Sequence, residues 1–195
     1  MDIFFRLCVA YRALNCLTIS KKYLLPLIHE LLDKTRGGKC LARLDLKNGY
    51  NLIRITIGDE WKTTFRTMER LFEDAVMPFS LTTACVLFQE MMDTIFKDME
   101  GYICNLDDII IYPGNTKAEH QVIVEEVLQQ CVEHGLAASL LKSEFHVPET
   151  IFLSHVSNSQ EAKIDPWKLK TMTKLPILIK KKEVQGFFVF ATYYD

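Results

Sequence analysis

The stretch Tyr102-Ile103-Cys104-Asn105-Leu106-Asp107-Asp108-Ile109-Ile110-Ile111-Tyr112 places two adjacent acids inside an otherwise apolar run. Such runs form strands, and we expect a β-hairpin over residues 102–112 with the two acids at or beside its turn. Buried carboxylates are costly unless something neutralises them. The pair therefore indicates either a solvated turn, which is the commoner case, or a cation site.

A third acid stands upstream in Leu44-Asp45-Leu46-Lys47-Asn48-Gly49-Tyr50, again alone between apolar neighbours. Three acids on two neighbouring strands can hold two Mg²⁺ ions about 3.5–4 Å apart, the arrangement that drives phosphoryl transfer. The alternative is that Asp45 caps a turn, because Asp readily hydrogen-bonds its own backbone. The cation-site prediction depends on Asp45 lying beside the hairpin.

The composition is that of a globular protein. The chain has 195 residues, of which 49% are hydrophobic and 25% charged, enough for a core in one domain or two subdomains. The formal net charge of −2 gives no general attraction to phosphate backbones, which counts mildly against a nucleic-acid enzyme. Lysines cluster between Lys168 and Lys182, which a solvated helix face would explain equally well.

The cysteines form no C-x-x-C pair, and we expect reduced core thiols rather than a zinc site or disulfides. They are Cys8, Cys16, Cys40, Cys85, Cys104 and Cys131. The sequence has no run of about eighteen apolar residues, and Asp2 and Arg6 interrupt the apolar start where a signal peptide would need other residues. We therefore expect an intracellular chain, cytoplasmic or nuclear, that has no membrane partner.

Apolar residues at three- and four-residue steps predict the clearest helix over residues 81–99, closed by Gly101. A second periodic segment predicts a helix over 117–134, closed by Gly135. The remaining predicted elements are helices at 21–34, 166–174 and 181–193, and strands within 42–56, 136–141, 144–147 and 150–156. This order favours an α+β layer, an antiparallel sheet with helices packed on one face.

Short motifs follow one another along almost the whole chain. They are Arg6–Asn15, Leu44-Asp45-Leu46-x-x-Gly49-Tyr50, Phe65-Arg66-Thr67, Leu71-Phe72-Glu73, Val76-Met77-Pro78-Phe79, Phe88-Gln89, Leu106-Asp107-Asp108, Lys142-x-Glu144-Phe145, Phe152-Leu153-x-His155 and Ala191-Thr192-Tyr193-Tyr194. In this order and spacing they resemble the reverse transcriptase domain of gypsy-type long-terminal-repeat retrotransposons, over residues 6–194.

The resemblance implies a right-hand polymerase, in which a palm carries the acids, fingers surround the incoming nucleotide and a thumb holds the duplex. On this division residues 1–41 are partial fingers, 42–58 are palm strands and 59–78 are a fingers insertion. Residues 79–156 are the palm with the Asp-Asp hairpin and primer-grip-like strands, and 157–195 are the truncated start of a thumb or connection.

By position, Asp45, Asp107 and Asp108 match the catalytic metal triad of this family, which implies two Mg²⁺ ions, with Mn²⁺ as an alternative. The Leu46 carbonyl would complete a metal shell. One metal would lower the pKa of the primer 3′-hydroxyl, and the other would neutralise the triphosphate and the leaving pyrophosphate.

Other matching positions imply contacts with substrate. Around the incoming nucleotide, Arg6 would bind the triphosphate, Asn48 and Gly49 would present backbone N–H groups to phosphate, Tyr50 would exclude a 2′-hydroxyl, and Phe79 would line the nucleotide pocket. Gln89 would support the template strand, and Lys142 would donate a proton to pyrophosphate. The primer grip would be formed by Phe152, Leu153, Ser154 and His155. Several have a plain structural alternative: Tyr50 and Phe79 as core, and Arg6 and Lys142 as solvated side chains.

The chain departs from the family pattern near these motifs. The departures are Ala10 for an acid, Arg70, Ser80 and Ser154 for glycines, Asn105 for an aromatic residue, and Thr83-Ala84-Cys85 for Asn-Ala-Pro. Replaced glycines perturb seats that need positive φ or close backbone approach. The sequence also stops within a family motif and lacks RNase H and integrase parts, so we expect a fragment or decayed copy that keeps its three acids.

The expected function is RNA-directed DNA polymerisation from deoxynucleoside triphosphates (dNTPs) on an RNA or DNA template with a DNA primer. The alternatives are a catalytically inactive relic and a remnant that binds primer–template without chemistry.

Overall fold

The computed structural model describes residues 8–112, 116–172 and 180–192. Its helices are α1 (Arg12–Leu17), α2 (Ile28–Thr35), α3 (Ala84–Ile95), α4 (Lys117–Glu133), α5 (Pro166–Met172) and α6 (Lys181–Thr192), and its strands are β1 (Leu41–Lys47), β2 (Phe65–Arg66), β3 (Leu71–Phe72), β4 (Tyr102–Asn105), β5 (Asp108–Ile111), β6 (Ala137–Ala138), β7 (Glu144–Val147), β8 (Glu149–Phe152), β9 (His155–Asn158) and β10 (Ala162–Ile164). Short 3₁₀ turns occupy Gly49–Leu52 and Glu60–Thr63.

The central sheet is antiparallel and has the order β4-β5-β1-β6, with β7 also pairing with β1. The predicted hairpin over 102–112 is confirmed as β4 and β5, joined by a two-residue turn at Leu106 and Asp107. Strand β1 lies beside β5, so two segments that are distant in sequence become neighbours at the middle of the sheet.

One face of this sheet carries the main core. Alternate β1 and β5 residues such as Leu44 and Ile109 pack there against α3 and α4, represented by Phe88, Met92 and Val127, and all five are fully buried. Because successive strand side chains point to opposite faces, the intervening residues lie on the second face. The prediction of helices on one face therefore holds for α3 and α4.

The second face is covered at one end only. Leu31 and Leu32 of α2 pack there with Ile103, Ile110 and Phe152 in a separate buried cluster. The other end of this face, where β1 and β5 carry acids, stays open. A three-stranded sheet (β10-β9-β8) and a two-stranded sheet (β2-β3) complete the fold.

Several predicted boundaries are wrong for local reasons. The helix predicted within 21–34, entered after Leu25-Pro26, begins two residues after Pro26, at Ile28, because proline disfavours helical backbone in the residue before it and cannot donate a helical hydrogen bond. The strand pair predicted over 42–56 is the single strand β1 followed by a 3₁₀ turn, because Asn48 has φ 52° and turns the chain.

The strand predicted over 150–156 is divided by a turn. Leu153 and Ser154 have φ values of 48° and 63°, so the chain reverses there and forms the β8–β9 hairpin. The clearest helix is shorter than predicted, running from Ala84 to Ile95. The helix predicted over 117–134 is confirmed as Lys117–Glu133, with a capping box at Thr116 and Glu119. The last residues of the other two predicted helices, 173–174 and 193, lie outside the described residues.

The expectation of core thiols holds for Cys104 and Cys131, which are buried, whereas Cys8, Cys16 and Cys85 are exposed. Burial raises the pKa of the Cys131 thiol to about 11, which keeps it protonated. Within the described ranges, the helices are all too short or too polar to cross a membrane.

Candidate active site

Asp45 and Asp108 stand directly opposite each other on adjacent antiparallel strands. Directly paired residues of antiparallel strands project to the same face with Cβ atoms about 4.5–5.5 Å apart. The condition on which the cation-site prediction depended is therefore met, because Asp45 lies beside the hairpin. Both side chains are partly shielded, with 17% and 29% of their surfaces exposed.

The turn that carries Asp107 is held from two sides. Leu106 has φ 56°, a strained value for a residue with a Cβ. Its N–H donates to Gln89 Oε1 at 2.8 Å, and Gln89 Nε2 donates to the Cys104 carbonyl at 3.2 Å. On the other side, Leu46 N donates to the Asp107 carbonyl at 2.8 Å. The turn is thus fixed between α3 and β1.

A cavity of about 180 Å³ opens at this end of the sheet. It is lined by Asp45, Leu46, Lys47, Asn48, Gly49, Tyr50, Phe79, Asp107, Ser139 and Lys142. Most of these residues were singled out from the sequence as metal or nucleotide ligands. The structure therefore brings together on one concave surface residues from four separate segments of the chain.

The floor of the cavity is an aromatic stack. The Tyr50 ring lies 4.7 Å from Phe88 and 4.6 Å from Phe79, centroid to centroid, and only 6% of Tyr50 is exposed. Its hydroxyl lies 3.6 Å from Cys85 Sγ, and burial raises the pKa of Tyr50 well above its ordinary value. Gly49 is required beside this stack, because a Cβ there would lie 2.4 Å from Phe88 Cζ.

Two basic side chains each form an ion pair with one of the acids. Lys142 Nζ lies 3.4 Å from Asp45 Oδ1, and Arg43 Nε lies 3.4 Å from Asp108 Oδ1. Burial raises the pKa of Asp108; the Arg43 charge opposes that rise, and the charges of Asp107 and Asp45 add to it. The site thus concentrates negative charge that is only partly compensated by the protein.

The donor set suits a hard divalent cation, since it offers carboxylate oxygens on a partly shielded surface. However, among the residues that the structure describes, no three acidic, histidine or cysteine side chains lie close enough together to hold a metal ion. The metal triad implied by the family resemblance therefore stays a prediction. Asp45 and Asp108 turn toward Lys142 and Arg43, and Asp107 is exposed on the turn.

The other predicted residues have different positions. Phe152 is 1% exposed and belongs to the core of the second face, whereas Leu153 and Ser154 form the turn of the β8–β9 hairpin. His155 Nδ1 lies 2.9 Å from the Leu153 carbonyl oxygen across that turn. Gln89 is 1% exposed and serves the hairpin turn directly. Arg6 lies outside the described residues.

Sequence reasoning missed three residues that shape the site. Ser139 N donates to the Asp45 carbonyl at 2.8 Å, and Asp45 N donates to Ser143 Oγ at 3.3 Å, so one short segment fixes the backbone of the acid on both sides. Arg43 contacts Asp108. A usable signal existed for Arg43, because it stands two positions before Asp45 and must share its strand face.

Comparison with known proteins gives a consistent result. Residues 4–180 match the family described as Reverse transcriptase (RNA-dependent DNA polymerase). The Transposon Tf2-3 polyprotein of Schizosaccharomyces pombe is 37% identical over 155 residues, which are 78% of this chain and 12% of that protein. The Transposon Tf2-7 polyprotein of the same organism is 36% identical over the same length. The chain thus spans about one-eighth of these curated relatives.

Solved structures show the same fold. A foamy viral protease-reverse transcriptase in complex with double-stranded DNA superposes with a TM-score of 0.86 at 25% identity, covering 95% of this chain and 33% of that one. The foamy viral protein in complex with an RNA/DNA hybrid gives 0.81 at 23% identity, covering 92% and 24%. These likenesses confirm the predicted α+β polymerase palm.

Proposed function

The chain belongs to the reverse transcriptase (RNA-dependent DNA polymerase) family, and on that premise we propose that it is the polymerase unit of a gypsy-type long-terminal-repeat retrotransposon. Its reaction is the templated addition of deoxynucleotides from dNTPs to a primer 3′-hydroxyl. The single observation that carries the proposal is the pairing of Asp45 with Asp108 beside the hairpin turn, with Asp45 and Asp107 both lining the cavity.

Asp45, Asp107, Asp108 and the Leu46 carbonyl would hold two Mg²⁺ ions, or Mn²⁺ in their place. Bound there, the ions would lower the pKa of the primer 3′-hydroxyl and neutralise the charge of the triphosphate and the leaving pyrophosphate. The chain prepares the site for them by concentrating carboxylates, and the partner of Asp45, Lys142, is 67% exposed, so a solvated lysine is all that a cation would displace from Asp45. Lys142 then carries a proton at the edge where pyrophosphate would leave.

The remaining cavity residues would receive the nucleotide. Asn48, in left-handed backbone, and Gly49 after it line the cavity, where their main-chain N–H groups would bind phosphate oxygens. Tyr50 and Phe79 offer an apolar floor for the sugar. Because the Tyr50 ring is wedged against Phe88, it cannot retreat from a bulkier ribose, which favours deoxynucleotides. Arg6 would complete the triphosphate contacts.

The β8–β9 hairpin, with Phe152 to His155 around its turn, would seat the primer end beside the acids. Gln89 would act on the template side indirectly, by fixing the hairpin turn. Template and primer are the proposed partners, and the foamy viral proteins of the same fold are described with an RNA/DNA hybrid and with double-stranded DNA. The contacts that would bind the duplex are to phosphate, so binding should weaken with salt.

The proposed subdivision follows the sequence with one change. Residues 1–41 and 59–78 are assigned to fingers, and 42–58 and 79–156 to palm. Strand β9 crosses residue 157 and pairs with β10, so we place the thumb or connection portion after Ile164. The small β2–β3 sheet within 59–78 stands apart from the central sheet, as a fingers insertion would.

Primer extension on poly(rA)·oligo(dT) with dTTP tests the proposal. We expect incorporation that requires Mg²⁺ or Mn²⁺ and falls to background in the double variant Asp107→Asn, Asp108→Asn. Asp98→Asn is the control, because Asp98 is an exposed acid in the turn that follows α3. Both variants are checked for folding by circular dichroism. If the wild-type chain is folded yet incorporates no more than the double variant, the polymerase assignment is wrong.

A further inference from the structure

Arg43 is the basic residue nearest the paired acids on β1. It precedes Asp45 by two positions and so projects from the same sheet face. Its side chain is 22% exposed, and its Nε is buried. An arginine in this state is held by partners, and those partners lie on two different hairpins.

The first partner is Asp108. Arg43 Nε lies 3.4 Å from Asp108 Oδ1, at ion-pair distance. Among the residues that the structure describes, Nε has no partner within hydrogen-bonding geometry, so its contact with Asp108 is an ion pair. The second partner is the backbone of β8, since Arg43 Nη1 donates to the Ile151 carbonyl at 2.9 Å.

Ile151 directly precedes Phe152 and the turn of the β8–β9 hairpin. Phe152 anchors that hairpin by its buried ring, packed with Ile110 and Ile103 of the central sheet. An apolar anchor fixes how deeply the hairpin sits, but it is not directional. The hydrogen bond from Arg43 supplies direction, because it joins a fixed carbonyl of β8 to a fixed position on β1.

A second polar link supports the same junction. Glu144 of β7 is the register partner of Arg43, and its carboxylate accepts a hydrogen bond from Thr150 Oγ1 of β8 at 2.6 Å. One carboxylate oxygen of Glu144, Oε2, is thereby bonded to Thr150. The guanidinium of Arg43 is left to face Asp108 on one side and the Ile151 carbonyl on the other.

We propose that Arg43 is a positioning residue that sets the β8–β9 hairpin, and with it the primer end, relative to the Asp108 carboxylate. The inference rests on the proposed function, because it assigns the hairpin its role at the primer. Arginine suits the task because its donors point in different directions from one rigid plane, whereas a lysine ammonium is a single point at the end of a flexible stem.

Arg43→Lys separates position from charge, because it keeps the positive charge beside Asp108 and loses the rigid bridge to Ile151. The concentration of active sites is measured from the amplitude of the pre-steady-state burst. Per active site, we expect kcat to fall about 10- to 100-fold, the effect of misplacing a reacting group by about 1 Å. The KM for dTTP should stay within about twofold, and the Kd for primer–template measured without metal should be unchanged. Arg36→Lys is the control, since Arg36 pairs with Asp33 on the surface of α2.

Hydrogen exchange provides a readout that needs no catalysis. In Arg43→Lys, amides of residues 149–158 should exchange faster, while those of the β2–β3 hairpin over 65–72 should not change. A Lys variant with wild-type kcat and wild-type exchange overturns the inference and leaves the polymerase assignment intact. A wild-type chain without incorporation, combined with faster exchange in the variant, removes the polymerase assignment but keeps the contact as a clamp on the hairpin.

Discussion

Replacement of Gln89 tests whether the hairpin turn depends on α3. The side chain is 1% exposed and donates from Nε2 to Asp93 Oδ1 at 2.8 Å and to the Cys104 carbonyl at 3.2 Å, while Oε1 accepts from Leu106 N at 2.8 Å. Gln89→Met keeps nearly the same volume and removes all three hydrogen bonds. The change therefore isolates hydrogen bonding from packing.

The magnitude follows from the groups left behind. Leu106 N–H loses its partner at a turn whose φ of 56° already carries strain, and a buried unpaired group costs about 1–3 kcal/mol. Adding the weakened Cys104 contact at about 1 kcal/mol gives a loss of about 2–4 kcal/mol in the free energy of unfolding. For a chain of this size each 1 kcal/mol lowers Tm by roughly 2–4 °C, so Tm should fall by about 4–16 °C.

Thermal unfolding followed by circular dichroism measures the effect. Gln121→Met is the matched control, because Gln121 makes its hydrogen bond with Glu125 on the exposed face of α4, and such surface changes alter stability by about 0.5 kcal/mol or less. Equal Tm values for the two variants would refute the supporting role of Gln89. A raised KM for template at unchanged Tm would instead favour the direct template contact expected from the sequence.

Three further changes probe the turn, the stack and a buried histidine. Ser154→Gly should raise Tm by about 1–4 °C relative to Ser154→Ala, because φ is 63° at this position. Glycine relieves about 1–2 kcal/mol of left-handed strain, and the greater backbone entropy of glycine in the unfolded chain offsets part of that gain. A lower Tm for the glycine variant contradicts this. Gly49→Ala should lower the free energy of unfolding by about 1–3 kcal/mol through overpacking, because the new Cβ would lie 2.4 Å from the buried Phe88 ring. Its control is Gly186→Ala on α6, where a Cβ would meet open space, and this change should not lower Tm. Burial lowers the pKa of His120, with the Ile111 carbonyl opposing the shift and His146 adding to it. The unfolded chain therefore binds the extra proton, so Tm should fall as pH drops below about 6.5. The fall should be smaller in His120→Gln, and an identical dependence of Tm on pH in the two proteins would contradict this.

The sequence predicted the parts of the site that depend on local pattern. Two acids within a short apolar run imply a hairpin turn, and Asp45 between leucines implies a strand with one polar face. Their pairing then follows from the antiparallel layer. The β-hairpin, the helix after it and the aromatic residues at Tyr50 and Phe79 were likewise in the expected places.

The parts that sequence did not predict depend on contacts between distant segments or on unusual backbone. Leu106, Leu153 and Ser154 adopt positive φ without glycine, so no local signal marked the β8–β9 turn. The link between Arg43 and Ile151 spans 108 positions and exists only because the three-stranded sheet packs against the second face of the central sheet. The resemblance implied a template role for Gln89, but its burial under the hairpin turn is a property of packing that periodicity does not resolve.

The two ion pairs at the acids differ in how firmly the protein holds the basic partner. Lys142 is 67% exposed, and a solvated pair of this kind contributes about 1 kcal/mol or less, so Asp45 is released at little cost. Arg43 is held by the Ile151 carbonyl, so its link to β8 does not depend on Asp108. If Asp45, Asp107 and Asp108 hold cations as proposed, Asp45 would leave Lys142 and Asp108 would leave Arg43, while the hydrogen bond from Arg43 to Ile151 would keep the β8–β9 hairpin in place. The proposed primer seat would therefore keep its position whether or not the acids hold metal.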